Sequence, residues 1–348
     1  MGLRQRGRQA KRGATPAAAA RGKSKRFLVT GCAGFIGSHL CESLLESGHR
    51  VRGVDAFTDY YDRATKEENL AGSRRHAAFE LVETDLSTAP LEELLAGCDG
   101  VFHLAAQAGV RGSWGETFAG YARDNVIVTQ RLFESCSHAG LRIVWASSSS
   151  IYGNAERYPT PESTPPQPLS PYGVTKLTCE HLASAYRHSA GLDAVALRYF
   201  TVYGPRQRPD MAFTRVVRAL AADTPFRVFG TGEQSRDITY VADAVSATIL
   251  AMDRAPSGRA YNVGGGSETS LRDVLELLQE LSGQRLQLFY EPVAAGDVRR
   301  TAADTSLARR ELGWEPRTSL QEGLLAHLLW GGVPEAVRSP GTASVAAA

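Results

Sequence analysis

Tyr172 and Lys176 lie four residues apart in Tyr172-Gly-Val-Thr-Lys176. On a helix, that spacing puts both on one face, one turn apart. An ammonium beside a phenol favours the phenolate. Such a pair can take a proton and give it back near neutral pH. The pattern is also common on solvated helix faces, so its meaning depends on what the rest of the chain brings to it.

What precedes the pair is an electron-acceptor site. Arg26–Thr30 reads as a short buried strand that runs into Gly31-Cys-Ala-Gly34-Phe-Ile-Gly37. A helical pattern follows to about Ser47, and a second strand ends at Asp55, 18 residues past Gly37. Strand, glycines, helix, strand and terminal acid fall in the register of a dinucleotide-binding β-α-β unit. In such a unit the helix N-terminus faces the pyrophosphate. A carboxylate at Asp55 accepts hydrogen bonds from a ribose and repels a 2′-phosphate, which favours NAD over NADP.

Strands and helices keep alternating. Strands are expected at Phe79–Asp85, Gly100–Ala106, Leu141–Ser147 and Ala194–Arg198, and helices at Pro90–Ala96, at about Thr117–His138 and from Tyr172 to about Ser189. The pattern implies an α/β fold, a Rossmann-type doubly wound parallel sheet. Ligands bind such sheets beyond the carboxyl ends of the strands. The glycine loop, Asp55, Asp85, Ala105 and the serines Ser147–Ser150 fall at those ends. Residues 153–171 hold six prolines and form a loop.

After Arg198 the pattern turns irregular, and a smaller C-terminal α/β substrate-binding lobe is expected. The division is 25–198 for the NAD-binding domain, with returns near 238–263, and 199–237 with 264–333 for the lobe. Ile238–Met252 reads as a returning helix. Residues 1–24 and 334–348 read as loose tails. The first 26 residues carry nine Lys/Arg and no acid against a total of +2, leaving the remainder net acidic by seven charges. That argues against a nucleic-acid-binding body. No apolar run suggests a signal or a membrane span. Five scattered cysteines and eight histidines without ligand spacing suggest reduced thiols, a cytoplasmic location and no metal.

These residues resemble the extended short-chain dehydrogenase/reductase family. The motifs that carry the resemblance are Thr30–Gly37, His103-Leu-Ala-Ala106, Ser147–Gly153, Tyr172–Lys176 and Arg198–Pro205, in order and at matching spacing over roughly 25–330. Within the family the chain is similar to nucleotide-sugar epimerases. The DYYD (Asp59–Asp62), TVYGPxxRPDM (Thr201–Met211) and GDVxxTxAD (Gly296–Asp304) segments resemble those of enzymes acting on UDP-glucuronate.

The resemblance implies C4 epimerisation with NAD as a recycled prosthetic group. Tyr172 takes the C4 hydroxyl proton while hydride leaves C4, the 4-keto sugar turns over, and both return to the opposite face. Lys176 would also hold the nicotinamide ribose, and Ser148 would orient the C4 oxygen. The cofactor residues implied are Gly31, Gly34, Phe35, Ile36, Gly37, Asp55, Asp85, Leu86, Leu104, Ala105, Ala106, Tyr172, Lys176 and Tyr199. Substrate contacts implied are Arg111, Ser149, Ser150, Thr201, Arg208, Arg215, Val228, Phe229, Arg236 and Arg299. Galactose-type epimerases often carry an R-P-G-D sequence where Ala294-Ala295-Gly-Asp stands here, so that Arg contact is absent or supplied from elsewhere, with Arg299 as the candidate. Dehydratases of the family carry an Asp-Glu pair where Ser149 and Ser150 stand, and decarboxylases a Glu in place of Ser150.

A 4-keto uronate is a β-keto acid and loses CO2 once its C5–C6 bond aligns with the carbonyl π-system. A 4-epimerase must hold the carboxylate out of that alignment, which takes a guanidinium and hydroxyls. Arg208, Thr201, Ser149 and Ser150 match the family positions for this. Arg208 could instead face solvent or a UDP phosphate. The expectation is conversion of UDP-glucuronate to UDP-galacturonate. A decarboxylase making UDP-xylose, a UDP-glucose 4-epimerase and an NAD-responsive regulator stand as alternatives. Family dimers pair the helices of about 117–138 and 172–189, and Val126, Thr129, Phe133, Leu177, His181 and Ala185 suit such a homodimer face or an intrachain core.

Overall fold

A computed structural model describes residues 24–292, 296 and 298–336. The basic tail to residue 23, the positions Ala294 and Ala295, and the tail from 337 lie outside them. The strands are β1 (Arg26–Thr30), β2 (Arg50–Asp55), β3 (Phe79–Glu83), β4 (Gly100–His103), β5 (Ile143–Ser148), β6 (Ala194–Tyr199), β7 (Thr201–Tyr203), β8 (Phe226–Phe229), β9 (Ser235–Tyr240), β10 (Ala260–Val263), β11 (Glu268–Ser270) and β12 (Leu288–Glu291). The helices are α1 (Phe35–Glu46), α2 (Arg63–Asn69), α3 (Leu91–Leu95), α4 (Phe118–Tyr121), α5 (Val128–Ala139), α6 (Pro171–Ala190), α7 (Ala212–Ala222), α8 (Val241–Arg254), α9 (Leu271–Ser282), α10 (Ser306–Leu312) and α11 (Leu320–Trp330).

Seven strands form one sheet in the order β10-β6-β5-β4-β1-β2-β3, and every paired neighbour in it is parallel. Strands buried on both faces read as unbroken apolar runs, as Phe27-Leu-Val29 does. Chain order reverses between β1 and β4, so the crevice at their carboxyl ends is the ligand position of a doubly wound sheet. One core layer packs α1 and α8 on the sheet, with Leu40, Leu44, Ala244 and Ala251 fully enclosed. The opposite layer is built from Leu132, Phe133, Trp145 and Cys179, on α5, β5 and α6.

The smaller lobe has its own core of Val216, Val217, Leu220, Val228, Leu275, Leu278, Leu324 and Leu328. Two expectations need correction here. Ile238–Tyr240 is strand, not helix, because it pairs with β7 in a three-stranded sheet completed by β11; the helix starts at Val241. The assignment of 264–333 to the lobe is also too coarse. Ala308, Leu312 and Trp314, on and just after α10, are buried in the large domain's core, and Trp314 Nε1 donates to Asp243 O at 3.0 Å.

The long helix expected near 117–138 is not regular. Between α4 and α5 it takes a π turn over Ala122–Ile127. A π turn carries one more residue per loop than α, so phases counted through it as regular helix slip. Of the two readings open for Thr129 and Phe133, a homodimer face or an intrachain core, the structure gives the core: both point inward and are at most 3 % exposed. Phe133 packs edge-on against Trp145 at 5.7 Å. Ile127 and Val174 are exposed apolar residues of this surface instead, with Phe118 at the start of the helix.

Candidate active site

The crevice is a cavity of about 450 Å³ lined from the carboxyl ends of β1, β2, β4, β5 and β6. On the cofactor side it takes in Gly31, Gly34, Phe35, Ile36, Gly37, Asp55, Asp85, Leu86, Leu104, Ala105, Ala106 and Tyr199. Gly34 caps α1 without a side-chain bond, which leaves the first-turn N–H groups facing the crevice. A Cβ on Gly37 would stand 2.1 Å from Gly31 O, so only glycine lets the helix come this close to the loop. Asp55 accepts from Ala33 N at 3.1 Å and Phe57 N at 2.9 Å, which fixes both carboxylate oxygens at the strand end. Asp85 accepts from Ser87 N at 2.8 Å, and that bond holds its carboxyl below the usual range. A bare helix N-terminus, a glycine cradle and a fixed acid together fit a dinucleotide.

Tyr172 and Lys176 sit on the first turns of α6. Ser170 caps that helix by accepting from Gly173 N at 3.1 Å, and Pro171 opens it. A Cβ on Gly173 would meet Ser150 O at 2.6 Å, so glycine brings α6 against the serine turn. Lys176 is 5 % exposed, donates to Ala146 O at 2.8 Å, and has its Nζ 5.9 Å from the Tyr172 ring centre. Ser148 Oγ accepts from Ser150 N and donates to Ser150 Oγ, both at 3.1 Å. Tyr172, Lys176, Ser148 and Ser150 line the same cavity, with Ser149, Thr201 and Arg208.

The scaffold beneath is a buried polar network. Glu180, two turns beyond Tyr172, accepts from Ser147 Oγ at 2.6 Å and from Arg198 Nε and Nη2 at 2.9 and 2.7 Å. Arg198 Nη1 donates to Tyr152 Oη, which donates to Asn262 Oδ1 at 2.8 Å. The network ties α6 to the ends of β5, β6 and β10. Asn125, turned inward by the π turn, accepts from Gln107 N and donates to Gln107 O and Thr175 Oγ1. It links the β4 end to the Tyr172 helix. His103 is held between Thr30 Oγ1 at 2.7 Å and Thr129 Oγ1 at 3.0 Å. Burial, with some help from the Lys176 charge, pushes its pKa down to about 3, so it is neutral and structural.

Arg208 is placed by its neighbours in the loop. Arg206 donates to Glu42 on α1 at 2.9 Å, and the His39 ring donates to Pro205 O at 2.9 Å. Gln207 is buried and bonded to Val202 O and Thr214 N. With the two preceding residues pinned, Arg208 turns to the cavity beside Tyr60 and Met211.

The remaining substrate candidates do not line this cavity. Arg111 and Arg215 gather on the Phe229 ring, at 4.2 and 6.0 Å from its centre. Arg236 donates to Ser235 O and Arg299 O, and Arg299 is exposed. Val228 is 1 % exposed in the lobe core, so its side chain packs rather than contacts a ligand. Several residues with no role legible in the sequence reach the site in the fold: Tyr60, Tyr61, Lys66, Arg123 and Asn125. Tyr60 and Tyr61 stand in the DYYD segment, whose sequence marks the family resemblance but carries no signal of contact with the cavity.

Comparison with known proteins agrees with this geometry. Residues 27–264 match the NAD dependent epimerase/dehydratase family. An uncharacterized UDP-glucose epimerase of Bacillus subtilis is 44% identical over 302 residues, covering 86% of this chain and 95% of the relative. A UDP-glucuronate 4-epimerase of Thermodesulfobacterium geofontis is 37% identical over 310 residues, covering 87% and 95%. The crystal structure of UDP-glucuronic acid 4-epimerase from Bacillus cereus, in complex with UDP-glucuronic acid and NAD, superposes with a TM-score of 0.86 at 40% identity, covering 88% of this chain and 99% of that one. With a cradle for the dinucleotide at the switch point and relatives along nearly the whole described chain, this protein belongs to the NAD-dependent epimerase/dehydratase family, with NAD as its cofactor.

Proposed function

We propose that the protein epimerises UDP-glucuronate at C4 to UDP-galacturonate. The observation that carries this reading is Arg208, in the same cavity as Tyr172, Thr201 and the serine turn. A neutral hexose needs no guanidinium beside its C5 substituent, whereas a uronate does.

NAD, when bound along the glycine loop and Asp55, supplies the hydride acceptor and donor for C4. The chain's own residues do the rest. Tyr172 takes the C4 hydroxyl proton as the carbon is oxidised and returns it after the ketone has turned over. Lys176 supplies the positive charge that favours the phenolate. Ser148 donates to the C4 oxygen. Arg208, with Thr201, Ser149 and Ser150, holds the C6 carboxylate away from the plane in which it would leave as CO2. Ser149 and Ser150 stand where elimination would need a carboxylic acid, which speaks against dehydration. The cluster of Arg111, Phe229 and Arg215, together with Arg236, is the proposed seat of the UDP pyrophosphate and base. In the proposed homodimer, Ile127 and Val174 are exposed apolar residues offered to the second copy.

A second reading, UDP-glucose 4-epimerisation, draws on a relative called a UDP-glucose 4-epimerase at 38% identity and on the uncharacterized UDP-glucose epimerase at 44%. Purified protein with UDP-glucuronate, with and without added NAD, separates the two. UDP-galacturonate formation supports the uronate reading. UDP-xylose would move the assignment to a decarboxylase, and turnover of UDP-glucose alone to the hexose enzyme. Arg208→Ala is expected to raise KM for UDP-glucuronate, or to release pentose, without a matching loss on UDP-glucose. Equal loss on both sugars would remove Arg208 from carboxylate recognition.

A further inference from the structure

One edge of the Arg208 guanidinium is engaged by the protein itself. Nε donates to Asp210 Oδ1 and Nη2 to Asp210 Oδ2, each at 3.0 Å. Two parallel bonds of this kind set the plane of the group as well as its place. Tyr60, from the loop after β2, adds a third hold. Its hydroxyl donates to Asp210 Oδ2 at 3.3 Å, and its ring centre lies 5.8 Å from the Arg208 guanidinium carbon. The side chain of Arg208 is 19% exposed and that of Asp210 43%, so the carboxylate stands on the outer side of the pair. Arg208 and Tyr172 line the same cavity.

A guanidinium carries five N–H donors in a rigid fork. With Nε and one N–H of Nη2 given to Asp210, the edge formed by Nη1 and the second N–H of Nη2 is left for a ligand. We propose that Asp210, braced by Tyr60, is a positioning residue for uronate recognition: it commits one edge of Arg208 so that the substrate carboxylate can be met only along the other. The proposal rests on the reading that Arg208 meets that carboxylate. Without Asp210 the guanidinium regains rotamer freedom that must be lost again on binding. It also gains a second edge for the uronate, and the angle at which the carboxylate sits is no longer single-valued. That angle decides whether CO2 stays.

The opposite role is a stand-in carboxylate that leaves when substrate enters. The two roles differ in sign. The test compares the NAD-loaded parent, Asp210→Ala, Tyr60→Phe and Arg208→Ala by KM for UDP-glucuronate, Ki for UDP, and the pentose fraction of the product. For a positioning residue, Asp210→Ala raises KM on the order of ten-fold and increases pentose, with Ki for UDP unchanged. Tyr60→Phe moves KM the same way by roughly two- to three-fold. A fall in KM for Asp210→Ala would establish the stand-in and overturn the proposal. KM and Ki rising together would make Asp210 a loop-folding residue and overturn it as well. Failure of the parent on uronate, or an Arg208→Ala variant with the parent's KM, would sink the Arg208 reading itself. An Arg208 effect without an Asp210 effect would sink only the positioning role.

Discussion

The two halves of the crevice are built from different materials. The cofactor half is backbone: a glycine loop, a bare helix start, and an acid pinned by two main-chain N–H groups. The proposed substrate half is long side chains, and the protein supplies partners for those in and around it: Asp210 for Arg208 in the crevice, Glu42 for Arg206 beside it, and, outside the crevice, the Phe229 ring for Arg111 and Arg215. A backbone site recognises one ligand and tolerates little change. A side-chain site can be retuned by swapping a partner, which suits a family whose members share a cofactor and differ in sugar.

Four changes test that contrast. The largest effect is expected where the halves meet. Tyr172→Phe removes the proposed proton acceptor and should cost about 10²–10⁴ in kcat, with NAD still bound. A variant within ten-fold of the parent would remove Tyr172 from proton transfer. Next comes the shared scaffold. Glu180→Gln strands Arg198, whose side chain is 9% exposed, and should destabilise the fold by about 3–5 kcal/mol in denaturant titration. An unchanged midpoint would mean that the network is dispensable. On the backbone side, Gly37→Ala must push the helix off Gly31 and should cost about 1–3 kcal/mol together with NAD affinity. If NAD affinity survives, the close approach is not what seats the cofactor.

The smallest effect is a divergence in acid. In the cofactor half, burial holds His103 at about 3, below its unfolded value near ~6.5, so its contribution is present above that value and lost as pH falls toward 3. In the lobe, burial raises Asp237 to about 6, above an unfolded value near ~3.9, although it accepts from Gly265 N and Ala303 N. Its contribution is present below that unfolded value and is lost as pH rises through about 6. Melting temperatures between pH 4 and 7 should therefore show the gap between parent and Asp237→Asn narrowing as pH rises and then flattening. A gap independent of pH would mean that Asp237 does not titrate in this range.

The same contrast explains what could be read from the sequence. Strand–glycine–helix–strand order is local and periodic, so the large sheet and its switch point were legible from Arg26 to Tyr199. The lobe's β7 and β11 are three residues each, and β7 runs into the loop at Pro205, so no period could mark them. Ile238–Tyr240 joins an apolar run that continues into α8, and only its pairing with β7 tells strand from helix. Within the site, positions set by chain spacing, such as Tyr172 and Lys176, were open to inference. Contacts made across the fold were not: Tyr60 meets Asp210 from 150 residues away, and Asn125 reaches Gln107 through a π turn.

That π turn makes the helix sensitive to length rather than to identity. Every residue N-terminal to it is indexed one step away from where a regular helix would put it. Losing a single residue between Ala122 and Ile127 would satisfy the helix and improve its hydrogen bonding, yet rotate Asn125 off Gln107 and Tyr121 off Ala108 and Gly109. The segment is thus a counted spacer, tolerant of many substitutions on its outer face and intolerant of a one-residue deletion.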